Sequence, residues 1–227
     1  MFEQLLQLPL FQGLSSETIS LLVEKYPFHF LKFHDGEKII EVGENNTHAR
    51  FIVSGSARVK TRFSHLQVEL SQTLTAPQVL GAVSLFGMNT TFPYEAVALG
   101  TCGVLQIKKS DYISMLQGDK VLLFNILNYL SLNSQRFTTS LLSVKQCSLI
   151  ERLAIVVESL TTRNSSDVVL SYRQKDLCSL LGTQRNTLIN AIETLAEAGI
   201  VTQDGNCISI NDLRQFSAYC KDSHNFK

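Results

Sequence analysis

Gln174-Lys175-Asp176-Leu177-Cys178-Ser179-Leu180-Leu181-Gly182-Thr183-Gln184-Arg185-Asn186-Thr187-Leu188 carries the spacing Gln174-x3-Cys178-x3-Gly182-x5-Leu188. Each position has a steric reason. A small Cys178 lets two helices cross closely, Gly182 supplies the left-handed residue of a tight turn, and Leu188 plugs the core between the helices. The stretch reads as a helix-turn-helix whose second helix runs from Gln184 to Ala198 and ends at Gly199 as C-cap. Counted from Leu188 at about 100° per residue, Ile192 falls at about 40° and Leu195 at about 340°, so these three form the buried stripe. Asn186 and Asn190 fall on the far side, at about 160° and about 200°. Thr187 and Glu193 flank them, and Arg185 stands in the first turn. A recognition helix meets base edges with its first turns, where Arg pairs with guanine and Asn with adenine. A merely solvated polar face is the ordinary fate of such side chains; the surrounding motif favours DNA.

Working outward, Ile200 to Gln203 and Cys207 to Ile210 flank Asp204-Gly205-Asn206 as a β-hairpin. Upstream lie a helical segment from Leu149 to Leu160 and a polar turn at Asn164-Ser165-Ser166-Asp167. Three helices with a two-stranded wing make a winged helix-turn-helix, placed at residues 145–227. Before it, Leu123, Leu127, Leu130, Ser134, Phe137, Leu141 and Val144 recur at alternating steps of four and three. Such a heptad seam favours a partner helix and a parallel homodimer over a single amphipathic helix packed on its own domain. Ser134 is its polar member, and the dimerisation helix is placed at 111–144.

The first half is punctuated by Gly36, Gly43, Gly55 and Gly100. Between the glycines lie short β-like runs: Phe28 to Phe33, Lys38 to Val42, Arg50 to Val53, Ala57 to Arg62, Gln67 to Leu74 and Tyr94 to Leu99. Leu14-Ser15-Ser16-Glu17 forms a helix cap ahead of them. Strands this short and regular predict a small antiparallel barrel or roll over residues 1–110, and hence an α+β chain.

The 227 residues suit two compact units, and 44% hydrophobic with 18% charged residues affords a buried core. With 20 basic and 20 acidic residues the net charge is zero, so any DNA contact must come from local placement of charge. The N-terminus lacks the pattern of a signal peptide and no long apolar run appears, which predicts a cytoplasmic protein without a membrane partner. Cys102, Cys147, Cys178, Cys207 and Cys220 include no Cys-x2-Cys clamp and read as reduced, mostly buried thiols; no cofactor or metal is expected.

Nearly the whole chain resembles the family of the cyclic-AMP receptor protein and the fumarate-nitrate reductase regulator, CRP/FNR. The resemblance rests on Leu8-Pro9-Leu10-Phe11 with Leu14-Ser15, on Gly36-Glu37-Lys38-Ile39-Ile40, and on Phe51-Ile52-Val53-Ser54-Gly55-Ser56-Ala57-Arg58-Val59. It continues through Gly81 to Phe86, the long helix, Glu151-Arg152-Leu153-Ala154, and Tyr172-Arg173-Gln174 leading into the helix-turn-helix. It implies a bacterial transcription regulator, not an enzyme, with a jelly roll like that of cyclic-nucleotide-binding domains. By the same resemblance Arg173 and Gln174 contact the DNA backbone and Arg185 reads a base, with Thr183, Gln184, Asn186, Thr187 and Asn190 completing the surface. The partners it implies are a pseudo-palindromic duplex, a second copy of the chain and, for an activator, RNA polymerase. Members often carry Glu after that arginine and Arg later in the helix, where this chain has Asn186 and Asn190, so the target sequence is expected to differ.

The effector site departs further. Members that bind cyclic AMP carry Gly-Glu-x-x-Leu-Phe, whose Glu holds the ribose, and an Arg-Ser pair that grips the cyclic phosphate. Here the stretch reads Gly81-Ala82-Val83-Ser84-Leu85-Phe86, and an ungapped count sets Phe92-Pro93 at the Arg-Ser position. The resemblance therefore implies no gating by cyclic AMP, with Gly81 and Ser84 left as the rim of an unassigned effector site. Iron-sulfur members cluster cysteines near the N-terminus, whereas the first cysteine here is Cys102.

Two other classes compete. A roll of this kind also serves cupin-type metal enzymes, which use a His-x-His pair; His29, His34, His48, His65 and His224 contain none. A protein-interaction module built on the same folds is the second alternative, against which Arg173 and Arg185 speak.

Overall fold

Alternating apolar residues build an antiparallel roll in the first half of the chain. In the computed structural model, which describes residues 2–143, 147–162 and 164–222, helix α1 (Ser16–Lys25) leads into strand β1 (Phe28–Phe33). The Ser15 side chain accepts the Thr18 backbone N–H, which caps α1 as Leu14-Ser15-Ser16-Glu17 suggests. Strands β2 (Lys38–Ile40), β3 (His48–Arg62), β4 (Val68–Thr75), β5 (Gln78–Leu80) and β6 (Tyr94–Lys108) follow. β1 pairs antiparallel with the second half of β6, from Phe28 opposite Ile107 to Phe33 opposite Cys102. β2 pairs antiparallel with the first half of β6, and β5 with β3.

Two strands are longer than the glycine punctuation suggests. Gly55 and Gly100 bend β3 and β6 without ending them, because apolar residues resume beyond each: Ala57 and Val59 after the first, Val104, Leu105 and Ile107 after the second. The Gly100 N–H is held by Asp35 Oδ1 at 2.7 Å.

The predicted helix over 111–144 is two helices. Helix α2 (Lys109–Gly118) stops at Asp119, and helix α3 (Lys120–Ser143) starts anew. Asp119 has extended backbone, and its Oδ1 accepts the N–H groups of Val121 and Leu122 at 2.8 and 3.1 Å, an N-cap that competes with continuing the helix. Leu122 and Ile126 of α3 are buried with Phe11, Phe51, Tyr112 and Met115, and Leu130 packs partly on that cluster. Leu123 and Leu127 lie further round the helix, 38% and 51% exposed. Val144 and His224 lie outside the described residues, as do the side chains of Phe137 and Leu141.

The chain divides into two compact units, and neither is one continuous stretch: residues 1–58 with 74–135, and residues 59–73 with 136–227. The tip of the β3–β4 hairpin belongs with the C-terminal unit, because Val68 and Leu70 are buried in that unit's core. The C-terminal unit contains helix α4 (Leu149–Leu160), strand β7 (Ser165–Tyr172), helix α5 (Gln174–Leu181) and helix α6 (Arg185–Glu197). Strands β8 (Val201–Asp204) and β9 (Cys207–Ile210) and helix α7 (Leu213–Asp222) complete it. Within this unit the strand order is β4-β7-β9-β8.

Candidate nucleic-acid interface

Helix α4 starts with a reciprocal capping box: Glu151 N–H donates to Ser148 Oγ, and Ser148 N–H donates to Glu151 Oε2. Leu153, Ala154 and Val157 of α4 are buried with Leu177 and Leu181 of α5 and with Leu188, Ile192 and Leu195 of α6. The stripe read from the helical period is thus the buried face of α6. Gly182 takes φ +60° after α5, and the N–H groups of Gly182 and Thr183 close back on the carbonyls of Ser179 and Cys178. Arg152 secures the same turn from α4, its Nη1 donating to the Leu181 carbonyl at 2.6 Å. A guanidinium at the carbonyl end of α5 also opposes the helix dipole.

With one face of α6 committed to the core, the opposite face is set. Asn186, Thr187, Asn190 and Glu193 are exposed on or beside it, and Arg185 in the first turn and Gln184 just before it are exposed as well. At the start of α5 Arg173 is exposed and Gln174 half-buried. Between the two helices lies an open concavity of about 610 Å³, lined by Lys175, Cys178, Ser179, Gly182, Thr183, Gln184 and Thr187. Hydroxyls, amides and one ammonium line it, a donor set suited to phosphate oxygens. All eight residues named from the sequence lie on α5, on α6 or at their ends. Lys175 and Ser179 of the lining were not among them. Their positions one and five residues after Gln174 put both on the first helix, one turn apart, which was the available signal.

Residues 30–119 match the cyclic nucleotide-binding domain family, and residues 149–219 match the Crp-like helix-turn-helix domain family. The chain belongs to the CRP/FNR family. It is a DNA-binding transcription regulator of that type. Among solved structures, the catabolite activator protein of Thermus thermophilus shares the fold, with TM-score 0.53 and 22% identity over 94% of this chain and 100% of that one. The c-di-GMP-responsive global regulator CLP of Xanthomonas campestris gives TM-score 0.52 and 15% identity over 87% of this chain and 99% of its own. No curated protein matches the chain.

The CRP/FNR roll carries a second place of interest, the turn after β5. Gly81 takes φ +65° ahead of a single helical turn, Ala82–Ser84. Its carbonyl accepts Asn46 Nδ2 at 2.8 Å and the Ser84 hydroxyl at 3.2 Å, and Asn46 Nδ2 also lies 3.2 Å from Ser84 Oγ. Phe92, 1% exposed, covers the turn: a Cβ built on Gly81 would sit 2.2 Å from Phe92 Cε1. The Arg50 guanidinium lies 5.4 Å from the centre of the Phe92 ring and is itself paired with Glu44 at 2.6 Å. Burial pushes the neighbouring Tyr94 phenol above its ordinary range, a hydrogen bond with the Gly81 backbone working the other way. Asn46 Oδ1 is a buried acceptor without a hydrogen-bond partner.

Among the described residues no three His, Cys, Asp or Glu side chains come together as a metal site. The five cysteines are unbridged, with Cys102 and Cys220 buried and the other three half-buried. Burial, with Glu158 and Glu151 nearby, pushes the Cys220 thiol up to about 12. Among the described residues no helix is long and apolar enough to cross a membrane.

Proposed function

We propose that the chain grips a pseudo-palindromic operator as a homodimer, with Arg185, Asn186 and Asn190 facing base edges. Arg173, Gln174, Thr183, Gln184 and Thr187 hold the DNA backbone. The observation that carries this reading is the commitment of Leu188, Ile192 and Leu195 to the core, which turns Asn186 and Asn190 outward and leaves Arg185 exposed in the first turn. The functional division is a sensor roll at 1–110, a dimerisation helix at 111–144 and a DNA-binding domain at 145–227, working in the cytoplasm. Pairing runs along Leu123, Leu127, Leu130, Ser134, Phe137 and Leu141; the exposed Leu123, Phe124 and Leu127 supply its apolar contact. Selection of bound duplexes from random DNA tests the whole reading. The expected winners hold two inverted half-sites about 34 Å apart, one helical turn. A footprint covering a single half-site refutes the dimer, and failure to retain any duplex refutes the interface.

The roll of this regulator does not answer to cyclic AMP or cyclic GMP. A cyclic phosphate brings a negative charge that must leave water, which costs several kcal/mol unless a cation and hydrogen bonds replace its hydration. Ala82 and Phe92 provide neither, Arg50 is already paired with Glu44, and Asn46 Oδ1 presents an acceptor to an anion. Calorimetric titration of both nucleotides, repeated with a DNA-binding assay, should show neither micromolar binding nor a change in DNA affinity. Micromolar binding with a matching change in DNA affinity overturns this reading.

A further inference from the structure

We infer that the DNA-binding unit is completed by the tip of the β3–β4 hairpin, and that Gln67 and Asp176 together position the first helix of the helix-turn-helix on DNA. The inference rests on the assignment of α5 and α6 to DNA. The hairpin residues 59–73 cluster with the C-terminal unit, where Val68 and Leu70 are fully buried and Phe63 and Leu66 pack on the core.

The contact at the start of α5 has a specific form. Arg173 is the N-cap of α5 and makes no side-chain cap. In a capping box the side chain at the third helical position reaches back to the N–H of the N-cap residue. Asp176 holds that third position, yet the N-cap N–H goes elsewhere. Arg173 N–H donates to the Gln67 carbonyl at 2.7 Å, and Gln67 N–H donates to Asp176 Oδ2 at 3.1 Å. The backbone of Gln67 is thus inserted into the box, its N–H donating on one side and its carbonyl accepting on the other. β4 secures a second helix as well. Buried Gln72 donates from Nε2 to the Leu160 carbonyl at 2.7 Å and accepts the Thr162 N–H at 3.1 Å, closing the end of α4.

The residues fixed by this arrangement open the first helix: Arg173 is its N-cap, Gln174 its first residue, and Lys175 after them lines the concavity. Phosphate contacts set register and orientation on a duplex, so a loosened N-terminus of α5 weakens binding to every sequence. Asp176 and Gln67 are positioning residues, since neither needs to touch DNA.

The sign of the effect separates this from electrostatics. Removing a carboxylate beside phosphates strengthens DNA binding if charge alone matters. Positioning predicts that Asp176→Ala in the full-length protein weakens operator binding by roughly five- to tenfold at fixed salt, the loss of about one charge-assisted hydrogen bond. Asp176→Asn keeps an oxygen for the Gln67 N–H and should stay within about twofold of the parent or bind more tightly. Leu66→Ser changes no charge and should weaken binding as Asp176→Ala does. Hydrogen exchange without DNA should be faster at the Gln67 and Arg173 amides in Asp176→Ala and restored in Asp176→Asn. Unchanged or tighter DNA binding by Asp176→Ala overturns the inference, and so does unchanged exchange at Gln67. A parent protein that retains no duplex defeats the assignment of α5 and α6 instead, while the exchange measurement still decides whether Gln67 completes the cap.

Discussion

Gly81 in the roll and Gly182 in the helix-turn-helix share a left-handed backbone, φ +65° and +60°, and each adjoins a helical turn. Their surroundings are opposite. A Cβ on Gly81 would meet a buried aromatic ring at 2.2 Å and the Asn46 amide at 2.9 Å, whereas one on Gly182 would find Arg152 Nη1 at 3.6 Å and the open concavity. Backbone geometry that serves recognition in one place is filled by the chain itself in the other. What lies across the turn decides whether its polar groups face a partner or face each other. Phe92 is the residue that makes the difference in the roll.

The largest effect should come from removing that ring. Phe92→Ala leaves a cavity among Gly81, Arg50 and Tyr94, and truncation of a buried phenylalanine costs about 3–5 kcal/mol. Thermal unfolding should show the loss, while the folded fraction should keep its operator affinity. Stability within about 1 kcal/mol of the parent would mean that the ring does not fill the turn.

A smaller effect separates the two glycines. Gly182→Ala should cost about 1–2 kcal/mol, the strain of a left-handed alanine. Gly81→Ala should add about 1–3 kcal/mol of overpacking to the same strain. In a Phe92→Ala background that addition should vanish, leaving the backbone part alone. Equal costs for the two glycines in the parent would erase the contrast between a closed and an open turn.

The two regions also differed in how far the sequence disclosed them. The face of α6 follows from period alone, because Leu188, Ile192 and Leu195 repeat at helical spacing and the burial agrees. The closure of the Gly81 turn does not, since nothing local says that Phe92 folds across a residue eleven positions away or that Asn46 reaches it. Strand β7 is half legible: Val168, Leu170 and Tyr172 alternate and are buried, but the polar Ser165-Ser166-Asp167 masks the start of the run. Helix α7 carried a signal too, Asp212 capping the N–H groups of Arg214 and Gln215 ahead of buried Phe216 and Cys220. The hairpin tip was beyond reach, because Val68 and Leu70 fit a roll strand equally well and only the tertiary contacts assign them to the other unit.

On the open side of the comparison, Arg185→Ala should cost about 1–3 kcal/mol of operator binding and relax preference at one base pair per half-site. Repeating the selection from random DNA with the variant checks this. An unaltered preferred sequence would move base reading away from α6.

Arg173 carries the same charge as Arg185 and is also exposed, but it stands at the N-cap of α5, where its backbone N–H is already held by Gln67. In the proposed binding mode its side chain contacts the DNA backbone and Arg185 a base. Neutralising one phosphate releases one condensed counterion, so Arg173→Ala should lower the slope of log affinity against log salt by about 0.9 for each half-site contact. The effect on affinity should be smaller than that of Arg185→Ala at physiological salt, where screening weakens exposed charges, and uniform across operator variants. The discriminating measurement is a salt titration on the selected operator and on a scrambled duplex, parent beside variant. Parallel losses on both duplexes with a reduced slope keep Arg173 on the backbone. A loss confined to the operator, with the slope unchanged, would make Arg173 a base-reading residue and extend the recognition surface from α6 onto the start of α5.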